Sequence, residues 1–587
     1  MIYYFVLFAL AACVNIVLGL HAWPAVLAGS LNDPDSYMRL LRIEQGIRAG
    51  HFVTTVAGDA SGQGVMVEWS RLLDYLLWLL AVPLAPFFGW HRALFAAGVA
   101  LGPLGVGFFG AVLAWAVEPF AEHRYLWSAA LAAAILPGLL TIAMPGIVHY
   151  HILLLAMIAL TAGFAARAWR DDRWAGFLAG VSGGFAIWLT PETMPFVLMA
   201  YAALLLRWWD ARNATTMLAT AAGCFDVLII ALFVDPPYGG YGVPEIDRNS
   251  LVYVVMALLL LGGTMLLTRL EQRLKRACAP AGVAVMAVVL AAWVAAFPKV
   301  AEGPYGVLPP DQARAFFGVM TELQPLRGAD LFIFLFPGAC AVAYAFWRAV
   351  GGLRTSPLNV PGLLVPDSPR RGSLMWMYLA VCGAVALVLG ARFLLFVGFS
   401  TAFAAALLPV ALSELSLRFS VQPAMAGAAR LGTLLLVLGV PELAAIAEPA
   451  PKAQMPARVY PSCSLRHIAP LLAQAAGKVV LALPDDTPEL LYRTQVETVG
   501  SLYQHGVPAY MRDRAAWRAA PGAEMAPEIT ATGAVYVLFC PIPGRHVLVM
   551  DLPKNTLWDA LEAGTPPPWL TPAGTDAAGW ALYKVKP

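Results

Sequence analysis

The sequence predicts a mainly α, polytopic transmembrane bundle of about 13 spans over residues 1–446, followed by a small water-soluble α/β domain over 447–587. Three observations carry that expectation. Hydrophobic residues make up 60% of the 587-residue chain and charged residues 13%, against about 45–50% and about 25% in ordinary soluble domains. Apolar runs long enough to cross a hydrocarbon core, which takes roughly 20 helical residues, recur from Met1 to about residue 446. Beyond that point prolines and polar residues enter, and short β-type runs replace the long apolar ones. A soluble globular protein is excluded, because a chain this apolar could not cover its own surface.

The candidate spans fall near 2–20, 72–88, 93–117, 126–144, 150–166, 175–190, 194–207, 215–234, 251–268, 282–297, 330–347, 374–390, 393–412 and 427–446. The first run lacks a basic leader and reads as a retained span rather than a cleaved signal. Four connections are basic: Arg167, Arg170 and Arg173; Arg207 and Arg212; Arg269, Arg273, Lys275 and Arg276; Arg348, Arg354, Arg370 and Arg371. Positive charge marks the cytoplasmic side of short loops. That rule puts outside the turn Thr190–Thr193, the loops 235–250 and 298–329, the turn Gly390–Arg392, and everything after about 447. Before residue 150 the sides fall out of register by one span, so 72–88 is expected to be interfacial or re-entrant.

The tail opens on a Pro-rich linker, Glu448–Lys452 and Pro456, and then shows strand-like runs at Val479–Leu483, Glu497–Leu502, Ala534–Cys540 and His546–Met550. Helix-like stretches separate the first three, one of them opening Asp485-Asp486-Thr487-Pro488-Glu489 with Pro in its first turn. Alternating strands and helices suggest one α/β sheet domain. Of seven cysteines, five lie in or beside apolar helices as packing residues. Cys463 and Cys540 can pair if the tail faces an oxidising compartment. The net charge of +2 carries no nucleic-acid signature; the partner that composition requires is the lipid bilayer.

Carboxylates are scarce, so those at span ends stand out. Asp33 and Asp35, in Asn32-Asp33-Pro34-Asp35-Ser36, read either as an N-cap or as hard oxygen ligands for a divalent cation beside a phosphate. His149 and His151 can converge only in a turn, and read as interfacial packing or as metal ligands. Glu192 sits in a tight turn between apolar helices, as an N-cap or as a functional boundary charge. Glu322 lies in the long loop 298–329, and loops of that length are commonly functional. Arg392 either snorkels to lipid phosphate or holds a phosphate bidentately.

These motifs, in this order and on one side, resemble the GT-C polytopic glycosyltransferases, and among them bacterial single-chain relatives of the oligosaccharyltransferase catalytic subunit. Asp33-Pro34 with Arg39 is similar to the acidic motif of the first outer loop. Glu68-Trp69-Ser70-Arg71-Leu72-Leu73-Asp74 resembles the Trp-Ser/Thr-Arg-Pro-x-Asp element. Gly146-x-x-His149-Tyr150-His151 resembles Gly-x-x-Asp-His-His, Met320-Thr321-Glu322 the Val-Ala/Ser-Glu of the long outer loop, and Gly390-Ala391-Arg392-Phe393 the Arg-Phe element at the donor phosphate. The resemblance implies catalytic roles for Asp33 and Glu322. It implies a divalent cation (Mg or Mn) on Asp33, His149, His151 and Glu322, and substrate contacts from Arg392, Glu192, Asp35 and Arg71. It also implies a polyprenyl-phosphate-linked sugar donor, and a bacterial inner (plasma) membrane with the tail periplasmic.

Two departures accompany the likeness. His149 replaces an expected aspartate. The Trp-Trp-Asp-Tyr-Gly element that reads an asparagine sequon is missing; Trp208-Trp209-Asp210 continues as Ala211-Arg212 on the expected cytoplasmic side, so protein N-glycosylation is not supported. The competing reading is a transporter or a non-catalytic assembly component for envelope polysaccharide. Against it, charges gather at span ends and not at mid-span, and no repeated halves appear.

Overall fold

The structure is a computed structural model that describes residues 1–274, 278–351, 369–447, 462–541 and 550–586. Among the described residues, ten helices have the length and composition to cross a membrane, fewer than the about 13 expected from apolar runs alone. Four apolar segments fall short, for local reasons. Segment 72–88 breaks into Leu72–Ala81 and Ala85–Phe88, and a ten-residue helix rises only about 15 Å. Segment 126–144 breaks where Pro137 forces Leu136 into an extended conformation (ψ 131°), leaving Trp127–Ile135 and Pro137–Leu140. The next pair, Arg173–Leu189 and Met194–Ala211, meets at the turn Pro191–Thr193.

Two apolar cores form the bundle. One joins Ile2–Leu18, Trp90–Val117, Trp127–Ile135, His151–Ala168 and Val397–Arg418 around Leu7, Phe109, Leu113, Leu155 and Leu408. The other gathers Arg173–Leu189, Met194–Ala211, Thr215–Val234, Leu251–Leu274 and Cys278–Ala296 around Ile187, Tyr201, Trp208 and Met256. Trp208, the apparent sequon cognate, is fully buried there and donates its indole N–H to Glu271. Lipid offers no hydrophobic gain between helices, so close approach of small residues holds them together. Gly180 and Gly223 supply it: a Cβ on Gly180 would lie 2.0 Å from the Thr220 carbonyl oxygen, and one on Gly223 2.3 Å from that of Phe177.

On the face that carries the long loops, Pro34–Ala49 forms a helix. Asp33 caps it, and Gly50 closes it at φ 76°. A short hairpin follows, β1 (Thr55–Val56) against β2 (Val65–Met66). Arg39 and Arg42, both 2% exposed, meet the equally buried Asp74 at 3.3 and 2.6 Å. That ion pair fastens the surface helix to the start of Leu72–Ala81.

The tail contains a five-stranded mixed sheet in the order β4-β3-β5-β7-β6. β3 (Val479–Leu481) runs parallel to β4 (Glu497–Thr498) and β5 (Tyr536–Phe539), while β7 (Ala581–Val585) pairs antiparallel with β5 and with β6 (Leu570–Thr575). The first three expected strands are present in shortened form. The expected strand His546–Met550 falls almost wholly outside the described residues, and β6 and β7 complete the described sheet. Cys463 and Cys540 form a disulfide across a separation of 77 residues, a closure of the size that stabilises by roughly 4 kcal/mol.

The tail rests directly on the membrane part. Helix Thr487–Arg493 packs on Pro34–Ala49, and Arg493 donates to the Gly29 carbonyl and the Tyr37 hydroxyl, both at 3.0 Å. The Gly58–Ser61 loop pairs with Thr498 through two backbone bonds of 2.8 and 2.7 Å, and Asp59 accepts from Ser501 and Thr498. Burial pushes the carboxyl of Asp513, on helix Val507–Arg518, well above its usual range, and the Asp59 carboxylate adds to the rise. An acid whose folded pKa is raised adds stability below its unfolded value of about 3.9, and that stability is lost as pH climbs through the folded value. Asp513→Asn is therefore expected to raise the unfolding temperature of the detergent-purified protein at pH 7. The gain should shrink toward pH 4; a lower unfolding temperature at every pH would refute the assignment.

Candidate active site

The site assembles from five turns. Asp33 accepts the Ser36 amide at 2.8 Å and the Ser36 hydroxyl at 2.6 Å. The same hydroxyl accepts the Val148 amide at 2.8 Å, so the cap of the surface helix is tied to the turn that carries the histidines. Asn32 reinforces the tie through its backbone N–H to Gly146 (3.1 Å) and its side-chain amide to Pro145 (2.7 Å). Gly146 is required here: its φ is 86°, and a Cβ would lie 2.8 Å from a Val26 methyl group.

That scaffold aims His149 at both sides of the site. Its Nε2 lies 2.9 Å from Asp33 Oδ1 and 3.9 Å from Asp35 Oδ2. Its Nδ1 lies 3.3 Å from Nδ1 of His151. Burial by itself would depress the His149 pKa, but the carboxylates of Asp33, Asp35 and Glu322 together outweigh it and hold the imidazolium up to about 9. Donor atoms of His149, His151 and Glu322 lie within 4.8 Å of one another. His151 is buried with its Nε2 unpartnered, while Glu322 is exposed. Two imidazoles and a carboxylate suit a divalent transition metal. A carboxylate hydrogen-bonded to the far nitrogen of a ligating histidine is the usual support for such a ligand. The residues present therefore fit a cation on His149, His151 and Glu322 that displaces the proton from the near nitrogen of His149, with Asp33 behind His149 as its orienting partner. In the sequence reading Asp33 was itself a ligand; here it is not one of the three converging donors.

The remaining expected residues divide. Asp35 accepts from the Tyr503 hydroxyl at 3.0 Å, so the tail reaches the site. Burial pushes the Glu192 carboxyl up to about 8, with the Glu322 carboxylate close enough to add to it. Arg392 ends helix Pro369–Arg392 with its guanidinium 5.7 Å from the Phe393 ring centre. Its turn is clasped to the Glu322 segment, because Leu326 N–H donates to Ala391 and Leu394 N–H to Gln324, each at 3.1 Å. Among the described residues Arg392 meets no carboxylate. Arg71 is not drawn into the cluster: its amide donates to Asp235 at 2.8 Å and its Nε sits 3.6 Å from the same carboxylate, which also takes Arg248 and Trp188.

Three residues were not singled out from sequence. Glu68 is pushed up to about 7 by burial and senses Asp35, Asp247 and His505. Tyr503 and His505 come from the tail, His505 pairing with Asp247 of the 235–250 loop at 2.9 Å. No local pattern marks them, because their proximity arises only from the docking of the tail. Glu68 has a signal in the Glu-Trp-Ser-Arg run that also holds Arg71.

The bundle and its clustered turns make up a fold known from solved structures. Solved structures of the archaeal oligosaccharyltransferase AglB from Archaeoglobus fulgidus share it. The complex with an inhibitory peptide and a dolichol-phosphate superposes with a TM-score of 0.67 at 14% identity, over 91% of this chain and 69% of that one. The form tethered to an acceptor peptide gives 0.64 at 14%, over 92% and 69%. The complex with Zn and sulfate gives 0.61 at 14%, over 91% and 67%. At this identity the likeness establishes the fold. No protein-family model and no curated protein matches the sequence.

Measured on the purified protein by calorimetry with Mn or Zn, Glu322→Ala and His151→Ala are expected to abolish stoichiometric divalent binding. Asp33→Asn, which withdraws the carboxylate charge behind His149 while its amide oxygen can still cap the helix, should weaken it about 10–100-fold. Unchanged affinity in all three would show that the cluster is not a metal centre.

Proposed function

We propose that the chain is a membrane glycosyltransferase that moves a sugar or glycan from a polyprenyl-phosphate-linked donor to an acceptor on the outer side of the membrane. The observation that carries this reading is the convergence of Asp33, His149, His151 and Glu322 from three distant parts of the chain, within a fold shared with an oligosaccharyltransferase that is bound to a dolichol-phosphate. The disulfide of the tail supports an oxidising, extracytoplasmic side. The basic connections at the opposite ends of the spans support the same orientation.

In this mechanism the polyprenyl tail keeps the donor in the bilayer, and Arg392 holds its phosphate with a planar fork of donors. Glu322 orients the acceptor and takes its proton as its nucleophile bonds to the anomeric carbon, while Asp33 keeps His149 aligned beside it. The bond from that carbon to the phosphate oxygen breaks, and the phosphate leaves with the electron pair against Arg392. Glu192 and Glu68 stand beside this site as carboxyls that burial favours in the neutral form, able to donate a hydrogen bond to a sugar or acceptor oxygen. A cation on His149, His151 and Glu322 would supply Lewis-acid charge beside the reacting groups. Trp69, stacked on Arg39 at 4.2 Å and edge-on to Tyr503, closes one wall against water.

Mass spectrometry of lipid-linked saccharides provides the test, in cells whose only copy is wild type or a variant. Glu322→Ala and Asp33→Ala should insert normally, accumulate the donor, and lower transfer on the order of 10²-fold or more. Arg392→Lys should be impaired as well, since an ammonium lacks the two-pronged contact. Normal donor levels with Asp33→Ala and Glu322→Ala would overturn the proposal.

A further inference from the structure

A pocket of about 230 Å³ opens between helices Ala329–Gly351 and Val397–Arg418 and the Pro423–Ala447 span. Along most of its length the wall is apolar, with Pro337, Ala341, Leu407, Leu408 and Val437. One end differs. There Tyr344, Trp347, Glu414 and Arg418 line it. Glu414 accepts from the Tyr344 hydroxyl at 2.6 Å, and Arg348 Nε lies 3.2 Å from the same oxygen. Arg418 lies 5.7 Å from the Trp347 ring centre and, among the described residues, has no carboxylate partner. Among the described residues one carboxylate thus balances one of two guanidinium groups, and the mouth keeps a net positive charge.

The place of this mouth matters. Ala329 follows directly on the clasp that joins Leu326 to Ala391 beside the candidate active site. Trp347 lies 18 residues further, about 27 Å along the helix, so the charged mouth is at the opposite end of the bundle. It is the end that carries the basic connections. An apolar cavity of about 150 Å³ stays dry and takes up benzene; this one is larger and lies among spans, where the available apolar matter is lipid chain. Basic pockets between spanning helices at a cytoplasmic face recognise anionic headgroups.

We infer that this pocket holds one acyl chain of an anionic glycerophospholipid from the leaflet opposite the active site, with the headgroup phosphate on Arg418. The far end of a polyprenyl chain would fill the apolar part but brings no phosphate to Arg418. A zwitterionic phospholipid adds an ammonium where the mouth is already positive.

The test uses full-length protein in neutral detergent, native mass spectrometry to count bound lipid, and phosphatidylglycerol, phosphatidylethanolamine and undecaprenyl phosphate as probes. Phosphatidylglycerol is expected to bind at one site and more tightly than phosphatidylethanolamine. Arg418→Glu, at an exposed position, should weaken it about fivefold or more. Ala411→Phe, which fills the lining, should weaken it independently. Equal binding of phosphatidylethanolamine, undiminished binding in both variants, or displacement of phosphatidylglycerol from this site by undecaprenyl phosphate would each overturn the assignment. None of these outcomes bears on the glycosyltransferase reading, whose residues lie at the other end.

Discussion

The Asp33 carboxylate holds three things in place at once. It ends the backbone run into the surface helix by accepting the Ser36 amide, it fixes the Ser36 hydroxyl that in turn receives Val148, and it faces Nε2 of His149. Because the cap and the histidine share one carboxylate, the helix cannot shift without moving the imidazole. Beneath it the pair formed by Asp74 with Arg39 and Arg42 performs the same service at a deeper level. A buried charge left unpaired costs several kcal/mol, so both arginines and the helix that bears them are committed to one position. The active-site geometry thus rests on charges whose alternatives are expensive.

Much of this was legible in the sequence, and the reasons differ by element. The bundle was, because a membrane leaves an apolar segment of about 20 residues few options. Span number was less so: Pro137 and the end of Leu72–Ala81 cut apolar runs that composition alone reads as continuous. Strands β3 to β5 showed as β-branched runs, whereas β6, Leu-Thr-Pro-Ala-Gly-Thr, holds a proline and a glycine and looks like a loop. Its strand state is imposed by pairing with β7. Among site residues, Asp33, His149 and Glu322 stood out because carboxylates and histidines are rare at span ends. Tyr503 did not, since tyrosine in a tail is ordinary until the tail docks. Arg71 illustrates the reverse error: a conspicuous arginine whose partner, Asp235, lies 164 residues away and is invisible locally.

The tail is consequently more than an appendage. Arg493 reaches Gly29 and Tyr37, Tyr503 reaches Asp35, and His505 reaches Asp247. These contacts join the tail to the turn at Gly29, to the start of helix Pro34–Ala49 and to the 235–250 loop. On the proposed transfer reaction, an acceptor entering between them would meet surfaces from both parts of the chain.

The two-bond ladder between Gly58–Ser61 and Thr498 has a consequence for solubility. β4 and β6 are the two margins of the tail sheet, and an open margin is a template for pairing with another chain. On the β6 side Pro572 removes a donor and the irregularity between Pro572 and Gly574 breaks the flat edge. β4 has no such device in its own sequence; the Gly58–Ser61 loop, more than 400 residues earlier in the chain, occupies it instead. The membrane part thereby acts as an intramolecular guard, and a tail severed from it would carry an unprotected strand into solution.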